Sequence, residues 1–248
     1  MAYRPILTTL VFSLSWGCGA SVPHKKAPVL SAVGEVPDCS NLTEELTTRH
    51  DGSFDTAFQC VATMSPLKIL ALVETAMNTN QIEAGIFFYW AGRVRFNIDQ
   101  LIFSTDKQGV LPTIVALDTV EETWLPVVLD HPNAVDTALE LLRRWRPRLD
   151  ETYRPDWPDR IVHTLEDNDQ IRVVTQSEVI KATNDISDFS ELLNAPGYID
   201  AYKTVLVYEA LPEEERNNPE NRAAYDAARE KAAYLEYQLE QRSGPFSP

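Results

Sequence analysis

The chain has 248 residues, 44% of them hydrophobic and 24% charged, with a formal net charge of −15. That much apolar material supports a sizeable core in one domain or two small ones. So acidic a surface repels nucleic acid and bulk anionic lipid, which excludes general DNA or RNA binding; it serves solubility or receives a basic partner.

The N-terminus carries the strongest functional information. Met1 to Arg4 is a short basic start, Ile6 to Leu14 is an apolar run softened by Thr and Ser, and Gly17, Cys18, Gly19 and Ala20 supply small residues. This is the layout of a secretory signal peptide. Over residues 1–18 it resembles a bacterial lipoprotein signal, in which the cysteine after a small residue is fatty-acylated and becomes the mature N-terminus. The resemblance implies lipidation of Cys18. With Gly19 rather than Asp behind it, it also implies a periplasm-facing protein anchored in the outer membrane. Ser15 and Trp16 depart from the pattern, so ordinary cleavage after Ala20, giving a soluble periplasmic or secreted protein, stands as the alternative. Loss of a leader whose only charge is Arg4 changes −15 to −16. Residues 19–37 contain Pro and Gly without periodicity and read as a tether.

With Cys18 assigned to lipid or lost with the leader, Cys39 and Cys60 remain as a pair. In an oxidising compartment they would close a loop of about 22 residues, a constraint worth roughly 3 kcal/mol. Two unpaired core thiols are the alternative. Residues 38–242 are expected to form a single helical domain, with 243–248 as a tail.

A short helix follows Asp38 through Leu42 and Leu46, and a second carries Phe54, Phe58 and Val61. Between them, His50 to Ser53 reads as a turn. Ser65-Pro66 is a start signal, a capping hydroxyl before Pro at the first helical position. The helix it opens runs to about Asn78, and Asn78-Thr79-Asn80 breaks it.

The element around which the chain is organised is a helix at about 81–105. Ile86, Phe87, Phe88, Tyr89 and Trp90 point about 100° apart and cover every side of it, so it belongs inside a core or a membrane. Charged Glu83 and Arg93 bracket too few neutral positions for a span of roughly 20 residues, so it is a core helix. Gly85 and Gly92, with Ala84 and Ala91, repeat at seven and predict close approach of a neighbouring helix, expected to be the preceding one in an antiparallel hairpin. A groove at the two glycines is the alternative. Arg93 and Arg95 point to opposite sides, so one is expected to reach a core partner while the other meets solvent. A buried Arg needs a partner, for which Glu74, Glu83 or a bound anion are candidates, and Arg95 can reach Asp99 one turn on. The run FFYWAGRVR looks like the aromatic-Gly-Arg helix of poorly characterised bacterial proteins, some exported and some near secreted toxin genes. It implies no site residue.

After Asp106 the pattern weakens through Gly109, Pro112 and Pro126, leaving a short helix at 113–122. Asn133 is expected to cap a helix through Ala134, Val135, Ala138, Leu141, Leu142 and Trp145. It ends in Arg143, Arg144, Arg146 and Arg148. Arginine suits bidentate capture of phosphate or carboxylate and Trp145 can stack on a ligand, so the run is a candidate anion or partner site. The structural alternative is favourable charge at a helix C-terminus, paired with Asp150, Glu151, Asp156 and Asp159. Residues 161–176 read as a helix end or a small hairpin turning at Asn168-Asp169, with a helix opened by Ser177. Tyr198 to Leu211 is apolar enough for core. Asn218-Pro219 opens a last helix to about 241, with Ala224, Ala228, Leu235 and Leu239 on its inner side and Tyr225, Tyr234 and Tyr237 as rim packing. The fold class is all-α, an irregular multi-helix bundle.

Chemistry is sparse. The four histidines form no metal-binding pair, no nucleophile elbow or phosphate loop occurs, and Asp167-Asn168-Asp169 lacks the later oxygen ligand and Gly of a calcium loop. His163 with Glu166, and His50 with Asp51 and Asp55, are chance-level acid and base pairs. No cofactor, metal or catalytic residue is predicted. The expected function is a protein-binding lipoprotein of the cell envelope, toxin neutralisation being one form of it. The alternative is an envelope hydrolase or small-ligand-binding protein using an Arg-rich pocket.

Overall fold

The computed structural model describes residues 39, 42, 55–104, 107–149, 153, 155, 162–163 and 167–243. The leader with Cys18, the tether, the turn at 50–53, the carboxylates at 150, 151, 156 and 159, Glu166 and the tail lie outside them. The protein is all-α. Its residues cluster into two compact units that divide between Asn194 and Ala195.

In the first unit, α1 (Asp55–Val61), α2 (Pro66–Asn78), α3 (Ile82–Ile102), α4 (Lys107–Asp130), α5 (Asn133–Arg144) and α6 (Asn168–Asn194) follow in order. Helix α3 is the centre. It packs against α2, α4, α5 and α6, and every residue from Ala84 to Gly92 is buried, as helix-wide apolarity requires. Phe87 stacks on Phe58 of α1 with centroids 5.2 Å apart and meets the edge of Trp145 at 6.1 Å; Tyr89 lies 4.7 Å from Trp124 of α4. Among the described residues no helix is long and apolar enough to cross a membrane.

Helices α2 and α3 form the antiparallel hairpin. A Cβ added to Gly85 would come 2.5 Å from Met77 Cε, and one added to Gly92 would come 2.9 Å from Leu70 Cδ2. Both glycines therefore face α2, whose side chains fill the space that a groove would need. Pro66 stands at the start of α2, although Ser65 makes no side-chain capping bond. Cys39 and Cys60 are joined in a disulfide with Cα atoms 5.7 Å apart, fastening the segment before α1 to its last turn.

Helix α4 runs 24 residues through Pro112 and Pro126, not over 113–122 alone. An interior proline removes a hydrogen bond and costs about 3 kcal/mol. Both prolines are on the exposed side, where water can take the released carbonyls, while Trp124, Leu125, Val128 and Leu129 are buried on the other. Packing outweighs propensity. Helix α5 begins at Asn133 itself, with Pro132 in the capping position, so Asn133 is not the cap. No hairpin turns at Asn168-Asp169. Helix α6 begins there, because Asp167 Oδ1 accepts the Asp169 amide at 2.8 Å, and Ser177 falls inside the helix instead of opening it. The carboxylate suggestive of calcium is a helix cap. Two short strands, β1 (Phe103–Ser104) and β2 (Val162–His163), pair antiparallel with Phe103 opposite His163.

In the second unit, α7 (Tyr198–Ala210), α8 (Glu213–Arg216) and α9 (Pro219–Ser243) follow. Gly197 takes φ +77° ahead of α7, a conformation that favours glycine. Asn218 Oδ1 accepts the Glu220 amide at 2.9 Å, so the predicted cap-then-Pro start forms. The inner stripe of α9 is Ala228, Ala232, Glu236 and Leu239; Ala224 is exposed and Leu235 half-buried. Tyr225 stacks on Tyr208 at 4.3 Å, whereas Tyr234 and Tyr237 are largely exposed.

Candidate functional site

Three groups of polar side chains stand out, and the central helix organises two of them. Tyr89, Arg93 and Asn97 recur at intervals of four and line one side of α3. The Arg93 Nη1 donates to the Tyr89 hydroxyl at 2.8 Å and lies 3.5 Å from Glu121 Oε2 of α4, and the Tyr89 hydroxyl donates to that same carboxylate. Asn97 donates to Glu178 of α6 at 3.1 Å. The Arg93 guanidinium also sits over the faces of Tyr89 and Trp90, 5.6 and 5.5 Å from their centroids. Burial opposes the charge on Arg93, but the Tyr89 oxygen and Glu121 outweigh it and hold the guanidinium more firmly protonated than usual. Burial raises the Tyr89 phenol far above its ordinary range, the pull of Arg93 notwithstanding. Asp185 of α6 is pushed up to about 6, by burial first, against the lowering effect of Lys181 and Arg93. The partner of Arg93 is thus Glu121. Glu74 and Glu83, the sequence candidates, are exposed.

Arg95, on the opposite side of α3, is fully buried. Its Nε donates to the Met64 carbonyl at 2.9 Å, and its Nη2 to the carbonyls of Arg148 at 2.7 Å and Ala62 at 3.3 Å. Its guanidinium lies 4.1 Å from the ring centroid of Tyr153, whose hydroxyl donates to Asp99 Oδ2 at 2.5 Å. Arg95 and Asp99 meet through Tyr153, not by the direct pairing that their spacing suggests. Arg93 keeps only 15% of its side chain exposed. Both arginines of α3 thus turn inward, where the spacing predicts that one of them meets solvent.

The Arg-rich run is divided. Trp145 is fully buried, which removes it as a stacking surface for a ligand. Arg143, Arg144, Arg146 and Arg148 are all exposed. Arg143 pairs with Glu140, and Arg146 Nη1 donates to the carbonyls of Arg143 and Trp145, each at 2.7 Å, closing the C-terminus of α5. Arg144 and Arg148 hold no ion-pair partner among the described residues.

The sequence does not point to Glu121, Tyr153 or the Tyr198–Glu236 pair. In that pair the Tyr198 hydroxyl donates to Glu236 Oε1 at 3.0 Å, and burial pushes Glu236 up to about 7. The four-residue spacing from Tyr89 to Arg93 is the one available signal. Among the described residues no group of three or more His, Cys, Asp and Glu side chains is placed to hold a metal ion.

Fold and polar groups together define an all-α, disulfide-fastened protein whose interior arginines are bound to its own carbonyls, carboxylate and aromatic rings. Comparison with protein-family models, with curated proteins and with solved structures finds no match.

Proposed function

We propose that this chain is an exported, lipid-anchored helical protein of the cell envelope that works by binding another protein. The observation that carries the proposal is the Cys39–Cys60 disulfide, a bond that persists in oxidising compartments and rarely in the cytosol. It agrees with a leader ending in Gly17-Cys18. Partner binding, as opposed to chemistry in an interior pocket, is supported by the way Arg93 and Arg95 are used. Their hydrogen bonds go to Tyr89, Glu121 and main-chain carbonyls, which makes them structural. Charge available for recognition is then on the surface, where the chain is strongly acidic overall. The resemblance of FFYWAGRVR to proteins that include neighbours of toxin genes makes a secreted toxin the first partner to test.

Cross-linking in intact cells, purification from solubilised envelopes and reconstitution with the purified partner provide the test. A partner that binds the purified chain directly supports the proposal. No specific cross-link, or a partner that does not rebind, overturns it. The intact mass of the exported chain reports acylation of Cys18 and the disulfide together.

A further inference from the structure

We propose that Arg143, Arg144, Arg146 and Arg148 form a docking surface for the anionic phosphate headgroups of the bilayer to which the chain is tethered. The surface rests on the proposed lipid anchor, which would hold the folded body beside that bilayer.

The first support is the unspent charge. The chain has 37 acidic side chains against 22 basic ones, so an exposed arginine has abundant carboxylates to meet. Arg144 and Arg148 nevertheless hold no ion-pair partner among the described residues, and Arg146 commits one nitrogen to main-chain carbonyls. Planar guanidinium groups match phosphate oxygens in pairs, which an ammonium cannot do.

Rigidity is the second. Trp145 is buried between the exposed arginines, the Arg148 amide donates to the Ala62 carbonyl at 2.7 Å, and the Arg148 carbonyl accepts from Arg95 at 2.7 Å. The main chain carrying the cations is fixed to the core on both sides, so little ordering is left for docking. These bonds use backbone atoms of residue 148 and survive replacement of its side chain.

A broad anionic surface fits better than a small ligand. All four arginines are exposed, and the one aromatic ring of the run, which would stack on a bound molecule, is in the core. The acidity of the remaining chain does not forbid this. At physiological ionic strength charges more than about 8 Å away are screened, so the distant acidity weighs little. Close by, Glu140 pairs with Arg143 and takes up part of that one cation, which leaves Arg144 and Arg148 as the main contributors. Acylation of Cys18 would attach the chain to the bilayer and so raise the effective concentration of any headgroup contact.

The test is vesicle co-sedimentation of the mature chain from residue 19, made without lipid. Vesicles of phosphatidylethanolamine with phosphatidylglycerol are compared with vesicles of phosphatidylethanolamine with phosphatidylcholine. Binding is expected to the anionic vesicles alone and to weaken with salt. Arg144→Ala with Arg148→Ala should lower the partition coefficient roughly thirty-fold. Lys68→Ala with Arg222→Ala, which removes equal charge from other exposed positions, should leave it within about two-fold. Circular dichroism establishes that each variant is folded. Absence of binding, equal binding to both vesicles, or an Arg144/Arg148 variant that partitions as the parent does overturns the docking surface. Failure of the anchor is read separately: an unacylated Cys18 by intact mass refutes the anchor while headgroup-dependent binding upholds the surface.

Discussion

The Arg95 guanidinium donates to the Arg148 carbonyl, 53 positions later in the chain, at 2.7 Å. The same side chain holds the Ala62 and Met64 carbonyls, so one residue of the central helix gathers the segment after the disulfide and the segment after α5. Replacing it with Met would leave the Met64 and Arg148 carbonyls without this donor, while the Ala62 carbonyl keeps the Arg148 amide at 2.7 Å. A buried carbonyl left unsatisfied costs about 1–3 kcal/mol, so the loss is on the order of 2–6 kcal/mol. Arg95→Met should lower the urea midpoint accordingly, with Arg95→Lys intermediate, because an ammonium cannot span the fork of carbonyls. A midpoint unchanged in both variants would remove Arg95 from the frame of the fold.

The two glycines of α3 should respond differently to the same methyl group. At Gly85 the obstructing atom is the end of Met77, a flexible side chain that can turn away. The gain in helix propensity, up to about 1 kcal/mol, offsets that adjustment, and Gly85→Ala should stay within about 1 kcal/mol of the parent. At Gly92 the added carbon meets Leu70 Cδ2 and Cγ at 2.9 and 3.1 Å with Ile69 behind them. Gly92→Ala should destabilise by about 1–3 kcal/mol, and Leu70→Ala, costly by itself because Leu70 is buried, should cost less in the Gly92→Ala chain than in the parent. Thermal unfolding of the parent, the three single variants and the double variant measures both effects.

What the sequence makes legible depends on the reach of each signal. Apolar residues on every side of 86–90 demand burial whatever surrounds them, so the central helix and its hairpin with α2 are readable. Helix α4 is not, since Pro112 and Pro126 end a helix by local rules, and the packing of Trp124, Leu125 and Val128 that overrides them comes from distant segments. Polar groups divide in the same way. That Arg93 and Arg95 need partners can be inferred from burial alone, but Glu121 lies 28 positions from Arg93 and Tyr153 lies in a stretch without periodicity. Spacing of three or four residues points instead to Asp99, and sequence nearness to Glu74 and Glu83.

Loss of the disulfide should weaken the unit that contains it. Cys39 and Cys60 are 21 positions apart, and freeing a loop of that size in the unfolded chain costs roughly 3 kcal/mol. Cys39→Ser should reproduce the effect of a reducing agent on the parent, and the reducing agent should then change nothing further. Since Ala62 and Met64 follow soon after Cys60 and are held by Arg95, Cys39→Ser and Arg95→Met should be non-additive in urea unfolding.

Glu236 gives the second unit a pH dependence whose sign is fixed by its environment. Its carboxyl is buried beneath Tyr198 and titrates near 7, against an ordinary value of 4.5, chiefly because burial disfavours the charged form. The folded state therefore binds the proton more tightly than the unfolded state does. Stability should be greatest below pH 4.5 as far as this group is concerned, and should fall as pH rises toward 7, by at most about 3 kcal/mol. Glu236→Gln keeps an acceptor for the Tyr198 hydroxyl without the charge. Amide exchange in α7 and α9 at pH 5 and pH 8 should show faster opening of the parent at the higher pH, after allowance for base-catalysed exchange, and a smaller difference in the variant. An equal pH dependence in both proteins would assign it to the acidic surface as a whole, where rising charge also opposes compactness.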